Sequence, residues 1–213
     1  MLKSLSRREF LKGAFSAGAL LALPRTLLTV NAQSETIEAD LTTAELITAT
    51  SAAAATLIDA VEGAQRDNLM FTLDDPLSLD WNWTFRQSRP GLELRTLSEA
   101  QADAALELVA TGMSEDGYTK ALDIMALQTD LGNDPLKFYV RIFGEPGSEH
   151  WGWSFLGHHL TINTRIVGDE IFTTPMFLGA RPTVTTRDGE SYRVMTVEEL
   201  TARDLVLSLG SDA

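Results

Sequence analysis

Three histidines, the full complement of this chain, fall within one short stretch: His150, His158 and His159. Imidazole changes charge near neutral pH and ligates metals readily, so such clustering points to metal binding or acid–base work. They belong to the run His150-Trp151-Gly152-Trp153-Ser154-Phe155-Leu156-Gly157-His158-His159-Leu160-Thr161-Ile162-Asn163. The residue types from Trp151 to Val167 read as one long strand. Strand neighbours point to opposite faces, which puts Leu156, His158, Leu160 and Ile162 together. Trp151, Trp153, Phe155, His159, Thr161 and Asn163 then share the other face. Two adjacent strand histidines cannot easily clamp one ion between them. Each would instead contribute singly, with His158 or His159 joining carboxylates from elsewhere in an N/O shell around a divalent metal. The competing role is structural: His158 as a hydrogen-bonded core residue, and His150, just after a turn, as a solvated one.

All four tryptophans fall in two Trp-x-Trp pairs, Trp81/Trp83 and Trp151/Trp153. In extended chain each pair lies on one face and could stack on a sugar or another flat ligand, or else simply fill a core. Asn82, Arg86 and Arg89 beside the first pair suit an anionic group, or a solvated surface. There is no G-x-S-x-G elbow, Walker loop, Rossmann glycine fingerprint or H-E-x-x-H helix. The absence of cysteine excludes disulfides and Cys-ligated metal centres. Two classes of function lead, with an export-coupled accessory subunit as a third reading. One is a metal- or small-molecule-binding pocket around His158, His159 and Asn163, hydrolytic if a bound ion lowers the pKa of a water. The other is a non-enzymatic module whose Trp pairs hold a sugar-like ligand or a partner protein.

The elements that would position these residues are legible in outline. Thr42 with Glu45 forms a capping box, opening a helix to about Ala64 with Leu46, Ala49, Ala53, Leu57 and Val61 inward. Asn68 to Leu73 suggests a short strand that Asp74-Asp75-Pro76 breaks. Residues 74–95 look irregular. Ser98 with Gln101 opens a second helix to about Gly112, and Ser114 caps a third that runs to about Leu131. The period then switches to alternation: a strand over Phe138–Phe143, the long strand, a turn at Gly168-Asp169, and a return strand over Glu170–Thr173. Thr174 to Pro182 reads as a loop. Asp188-Gly189 marks a hairpin, and Thr196 with Glu199 predicts a capped helix from Val197 to about Leu209. Helices, then an antiparallel sheet, then a C-terminal helix make an α+β domain.

Apolar residues are 44 % of the chain and charged residues 22 %, the balance of a soluble globular protein. Residues 1–32 carry a net +4 (Lys3, Arg7, Arg8, Lys12 and Arg25 against Glu9), which leaves −17 on the remainder of a chain whose total is −13. So acidic a domain repels nucleic acid and anionic membranes. Ser6-Arg7-Arg8-Glu9-Phe10-Leu11-Lys12 followed by an apolar stretch to Leu23 reads as a twin-arginine signal, with a cleavage site near Val30-Asn31-Ala32. That predicts transit through the twin-arginine export machinery to the periplasm or beyond. An apolar run of about eleven residues cannot span the ~30 Å hydrocarbon layer, so no permanent anchor is expected after cleavage. The mature unit is expected over residues 33–213.

Several motifs together resemble a known family. They are Trp81-x-Trp83, Gly91-Leu92, Gly117-Tyr118, Ile142-Phe143-Gly144 with Pro146, Trp151-Gly152-Trp153, Gly157-His158-His159-Leu160, Asn163, and Thr174-Pro175 through Phe177-Leu178-Gly179-Ala180 with Pro182. This pattern is similar to the bacterial domain of unknown function 3500 over about residues 40–210. The resemblance implies organisation and no reaction. It also implies a second region beyond this point, with a further histidine cluster and an Arg-Asp pair. A chain stopping at Gly210-Ser211-Asp212-Ala213 would be a C-terminally shortened member.

Overall fold

A computed structural model describes residues 41–209; the export segment expected at residues 1–32 lies outside them. Helix α1 (Thr43–Ala60) starts where its capping box demands. The Thr42 hydroxyl accepts from the Glu45 amide at 3.3 Å, and the Glu45 carboxylate accepts from the Thr42 amide at 2.9 Å. Two backbone donors with no partner inside the helix are thereby satisfied. A short α2 (Ala64–Leu69) follows, then α3 (Glu99–Thr111), opened by the Ser98/Gln101 box. Ser114 caps α4 (Glu115–Ala126), which tightens into a 3-10 turn over Leu127–Leu131. Buried Ala53, Ala54 and Leu57 of α1 and Ala105 and Leu108 of α3 belong to one core, in which small residues let helices approach closely.

The sheet is built on β3 (Tyr139–Phe143), β4 (His150–Gly157) and β5 (Leu160–Val167), antiparallel neighbours in chain order. Each outer edge is shared by two short strands. On β3 these are β1 (Met70–Phe71), which is parallel, and β2 (Leu92–Glu93). On β5 they are β6 (Glu170–Thr173) and β7 (Phe177–Leu178). A separate hairpin, β8 (Thr185–Arg187) with β9 (Glu190–Tyr192), turns at Asp188-Gly189 with positive φ at both residues, as its sequence demands. Helix α5 (Thr196–Ser208) closes the described chain. The α+β layout is the expected one, and no described helix is long and apolar enough to cross a membrane.

Register divides the sheet into two unlike faces. Val140, Ile142, Trp151, Trp153, Phe155, Ile162 and Ile166 lie on one side and join the helices in the main core. Tyr139, Arg141, Ser154, Leu156, Thr161, Asn163 and Arg165 lie on the other. That side is covered by the irregular segment of residues 72–91. Arg141 donates through Nε to the Pro90 carbonyl at 2.8 Å and through Nη1 to the Leu77 carbonyl at 3.3 Å, and pairs with Asp80 at 3.1 Å. Arg165 donates to the carbonyl of Ser78. Irregular backbone has no ladder to satisfy its carbonyls, and the buried guanidinium groups supply donors instead.

Three local expectations are corrected. The single strand from Trp151 to Val167 is two strands, β4 and β5, folded back at His158-His159. Only Met70 and Phe71 of the stretch Asn68–Leu73 are extended, because Asn68 and Leu69 finish α2. The Thr196/Glu199 box does not form: Glu199 pairs with Arg193, the Thr196 hydroxyl donates to the Arg193 carbonyl at 2.7 Å, and the N-cap is Met195 without a side-chain bond. An arginine near enough to form an ion pair has taken the carboxylate that the cap required.

Candidate ligand-binding site

The turn Gly157-His158-His159-Leu160 is the structural surprise of the chain. His159 adopts φ 63°, a left-handed conformation that costs a residue with a Cβ about 1–2 kcal/mol. Its backbone is clamped on both sides: its amide donates to the Trp83 carbonyl at 2.8 Å, and its carbonyl accepts from the Gly179 amide at 2.9 Å. Gly157 is required next to the turn, since a Cβ there would stand 2.2 Å from the Phe138 ring. Gly179 allows the same closeness on the far side, with a Cβ position 3.0 Å from Phe177 and 3.1 Å from His159 Nδ1.

The two imidazoles diverge into different surroundings. Their ring centroids are 4.3 Å apart at 68°. His159 leans on Trp83 at 5.7 Å, and Trp83 stacks on Phe177 at 4.6 Å and 14°. His158 meets the edge of Phe85 at 5.6 Å, and its Nδ1 lies 2.8 Å from Gln128 Oε1. The amide oxygen only accepts, so Nδ1 carries the proton and Nε2 the lone pair. Burial, helped by His159, Arg181 and Arg89, pushes His158 down to about 4; burial and Arg181 also lower His159. Both rings are therefore neutral at pH 7.

A narrow cleft of about 10 Å³ opens beside His158, lined by Phe85, Arg86, Arg89, Gln128, Lys137 and Tyr139 among others. Four separate segments converge there: the covering segment, the 3-10 turn after α4, the start of β3 and the histidine turn. Arg89 is 7 % exposed; Nη2 donates to the Thr84 carbonyl, while Nη1 has no partner. A larger space of about 330 Å³ lies between α4, β7 and α5, but its charged groups are spent on each other, Lys120 pairing with Glu198. The smaller cleft has the unspent polar groups and is the better candidate.

The remaining expected site residues are placed as follows. Asn163 is buried directly across from Ser154, its Nδ2 donating to the Pro175 carbonyl at 2.9 Å. Trp83 stands at the histidine turn, and Trp81 is an exposed neighbour in the covering segment. Trp151 and Trp153 do not fit a stacking role: both are fully buried on the helix-facing side of the sheet, beyond the reach of an external ligand. His150 is exposed at the start of β4, as expected. Gln128, Phe85, Phe177 and Lys137 were not singled out by sequence reasoning. Only Phe177, inside the Thr174–Pro182 run, carried any signal.

The residues do not fit a divalent metal at His158 and His159. Among the described residues no group of three or more His, Asp or Glu is placed to hold one. The charges acting on the turn are those of Arg89 and Arg181, which repel a cation.

No curated protein matches the chain, and no solved structure does. A family model described as "Protein of unknown function (DUF3500)" matches residues 43–213, which is most of the chain. The protein belongs to that family of unknown function.

Proposed function

We propose that this is an exported small-molecule-binding domain, and that its ligand is received at the cleft beside the histidine turn. The observation that carries this reading is His158 itself: a neutral imidazole lining the cleft, its tautomer fixed by Gln128. Among the described residues its Nε2 has no hydrogen-bond partner. A strained turn clamped by Trp83 and Gly179 supports the reading, because strain of this kind persists where surrounding structure enforces it and gathers at ligand clamps.

Binding is favoured over hydrolysis on proton affinity. A general base works best with a pKa near the operating pH, and an imidazole held at about 4 is a weak base in neutral solution. It remains a good hydrogen-bond acceptor at Nε2. A cleft of about 10 Å³ is far below the usual ~300–1,000 Å³ of sites that enclose a drug-sized ligand, so it suits only the terminal group of a molecule that stays largely outside it. Export through the twin-arginine route, read from Arg7-Arg8 and the apolar stretch after them, puts that ligand outside the cytoplasm.

The test is a screen of a mixed metabolite library by saturation-transfer NMR against the mature protein and its His158→Ala variant. Ligands that lose their signal in the variant support the proposal. A library with no hit, or hits indifferent to His158→Ala, overturns it.

A further inference from the structure

The cleft is basic in a domain that is otherwise strongly acidic. Arg86, Arg89 and Lys137 line it, against a single carboxylate, Asp134. Asp134 is already engaged, with Oδ1 accepting from the Leu136 amide at 2.8 Å. None of the three cations forms an ion pair among the described residues; Lys137 rests over the Phe85 ring with Nζ 5.0 Å from its centroid. The contrast with Arg141 is informative. Arg141 is more deeply buried but finds Asp80 and two carbonyls, whereas Arg89 keeps Nη1 buried without a partner. A buried guanidinium donor left without an acceptor is costly unless something external completes it.

Resting on the ligand-site reading above, we infer that the ligand carries an oxyanionic group, carboxylate or phosphate, and that Arg89 receives it from below while Arg86 and Lys137 close on it from the rim. The planar guanidinium fork matches either group, and Lys137 adds a point charge. Neutral His158 and Gln128 then contact the adjoining part of the molecule. A chain with an overall charge of −13 would not gather anions non-specifically, so such binding must come from this cluster.

The experiment is a pair of titrations at low ionic strength into isotope-labelled mature protein, one with inorganic phosphate and one with succinate. The Arg89 Nε–H and His158 ring signals are followed by NMR. Saturable shifts with either anion are expected, and the stronger of the two assigns the group. Arg89→Gln should weaken that affinity about ten- to a hundredfold. Because Arg89 also anchors Thr84, the rim double variant Arg86→Gln/Lys137→Gln is the control for folding, expected to weaken binding about tenfold with unchanged amide dispersion. Shifts that do not saturate, or affinity retained in both variants, overturn the inference. A neutral metabolite that binds through His158 and ignores the rim variant overturns it while sparing the ligand-site reading. Anion binding that is lost with Arg89 but untouched by His158→Ala supports the anion cluster and sinks that reading.

Discussion

The two faces of the central sheet are buried by opposite means. Toward the helices, Val140, Ile142, Trp151, Trp153, Phe155 and Ile162 meet a layer whose backbone satisfies itself, so only volume and shape need matching. Toward residues 72–91, Arg141, Ser154, Thr161, Asn163 and Arg165 meet backbone with spare carbonyls, so the sheet must supply donors. The first arrangement leaves the indole nitrogens of Trp151 and Trp153 without partners; the second leaves Ser154 Oγ, Thr161 Oγ1, Asn163 Oδ1 and Arg89 Nη1. The difference teaches where a site can grow. An apolar interface closed by helices has no reason to open, while a polar one closed by an irregular segment has groups to spare at its margin, and the cleft beside His158 is that margin.

The largest effects separate the faces by substitution. Trp153→Ala should cost about 4 kcal/mol in urea unfolding, with no region released ahead of the rest. Arg141→Leu should cost about 3 kcal/mol, because Asp80 and the Leu77 and Pro90 carbonyls lose their donor. It should also expose residues 72–91 to proteolysis before global unfolding. A cost below about 1 kcal/mol without that release would mean that the polar layer is not structural.

Acid comes next. His158 takes up its proton at about 4 in the folded chain and nearer its ordinary value when unfolded, so the unfolded state binds more protons between them. Stability should therefore fall as pH drops through that window and flatten below it. The His158 ring titration by NMR should show a midpoint well below the ordinary imidazole value. A midpoint at the ordinary imidazole value would remove the case for a buried, neutral His158.

The histidine turn offers a smaller and cleaner comparison. His159→Ala and His159→Gly both delete the ring contact with Trp83, but only glycine relieves the positive φ. The glycine variant should be the more stable by about 1 kcal/mol. Equality would mean that the turn relaxes in solution. Smallest of all is Ser154→Ala, expected within about 0.5 kcal/mol of the parent in the same unfolding assay, because its hydroxyl makes no bond to protein. A large loss there would reveal an ordered partner in the polar layer.

Local chemistry made much of the fold legible. Thr42, Ser98 and Ser114 started helices where their side chains could serve backbone amides three residues on, and Asp188-Gly189 turned a hairpin because both residues tolerate positive φ. Those signals are short-range, and sequence carries them in full. Gly157-His158-His159-Leu160 carried no such signal. Nothing in a His-His pair favours a turn, and it turns because Trp83 and Gly179, distant in sequence, bind its backbone and Phe138 occupies the space beside Gly157. The Thr196 box failed for a related reason, since Arg193 competed for Glu199. Sequence alone carried the α+β order, the caps at Thr42, Ser98 and Ser114, the acidic net charge and the clustering of histidines. The tertiary structure alone decided which tryptophans are core, that the histidines sit on a turn, and that Arg89 and Lys137 come to stand beside His158. Those outcomes depend on contacts between residues far apart in the chain, which no local pattern encodes.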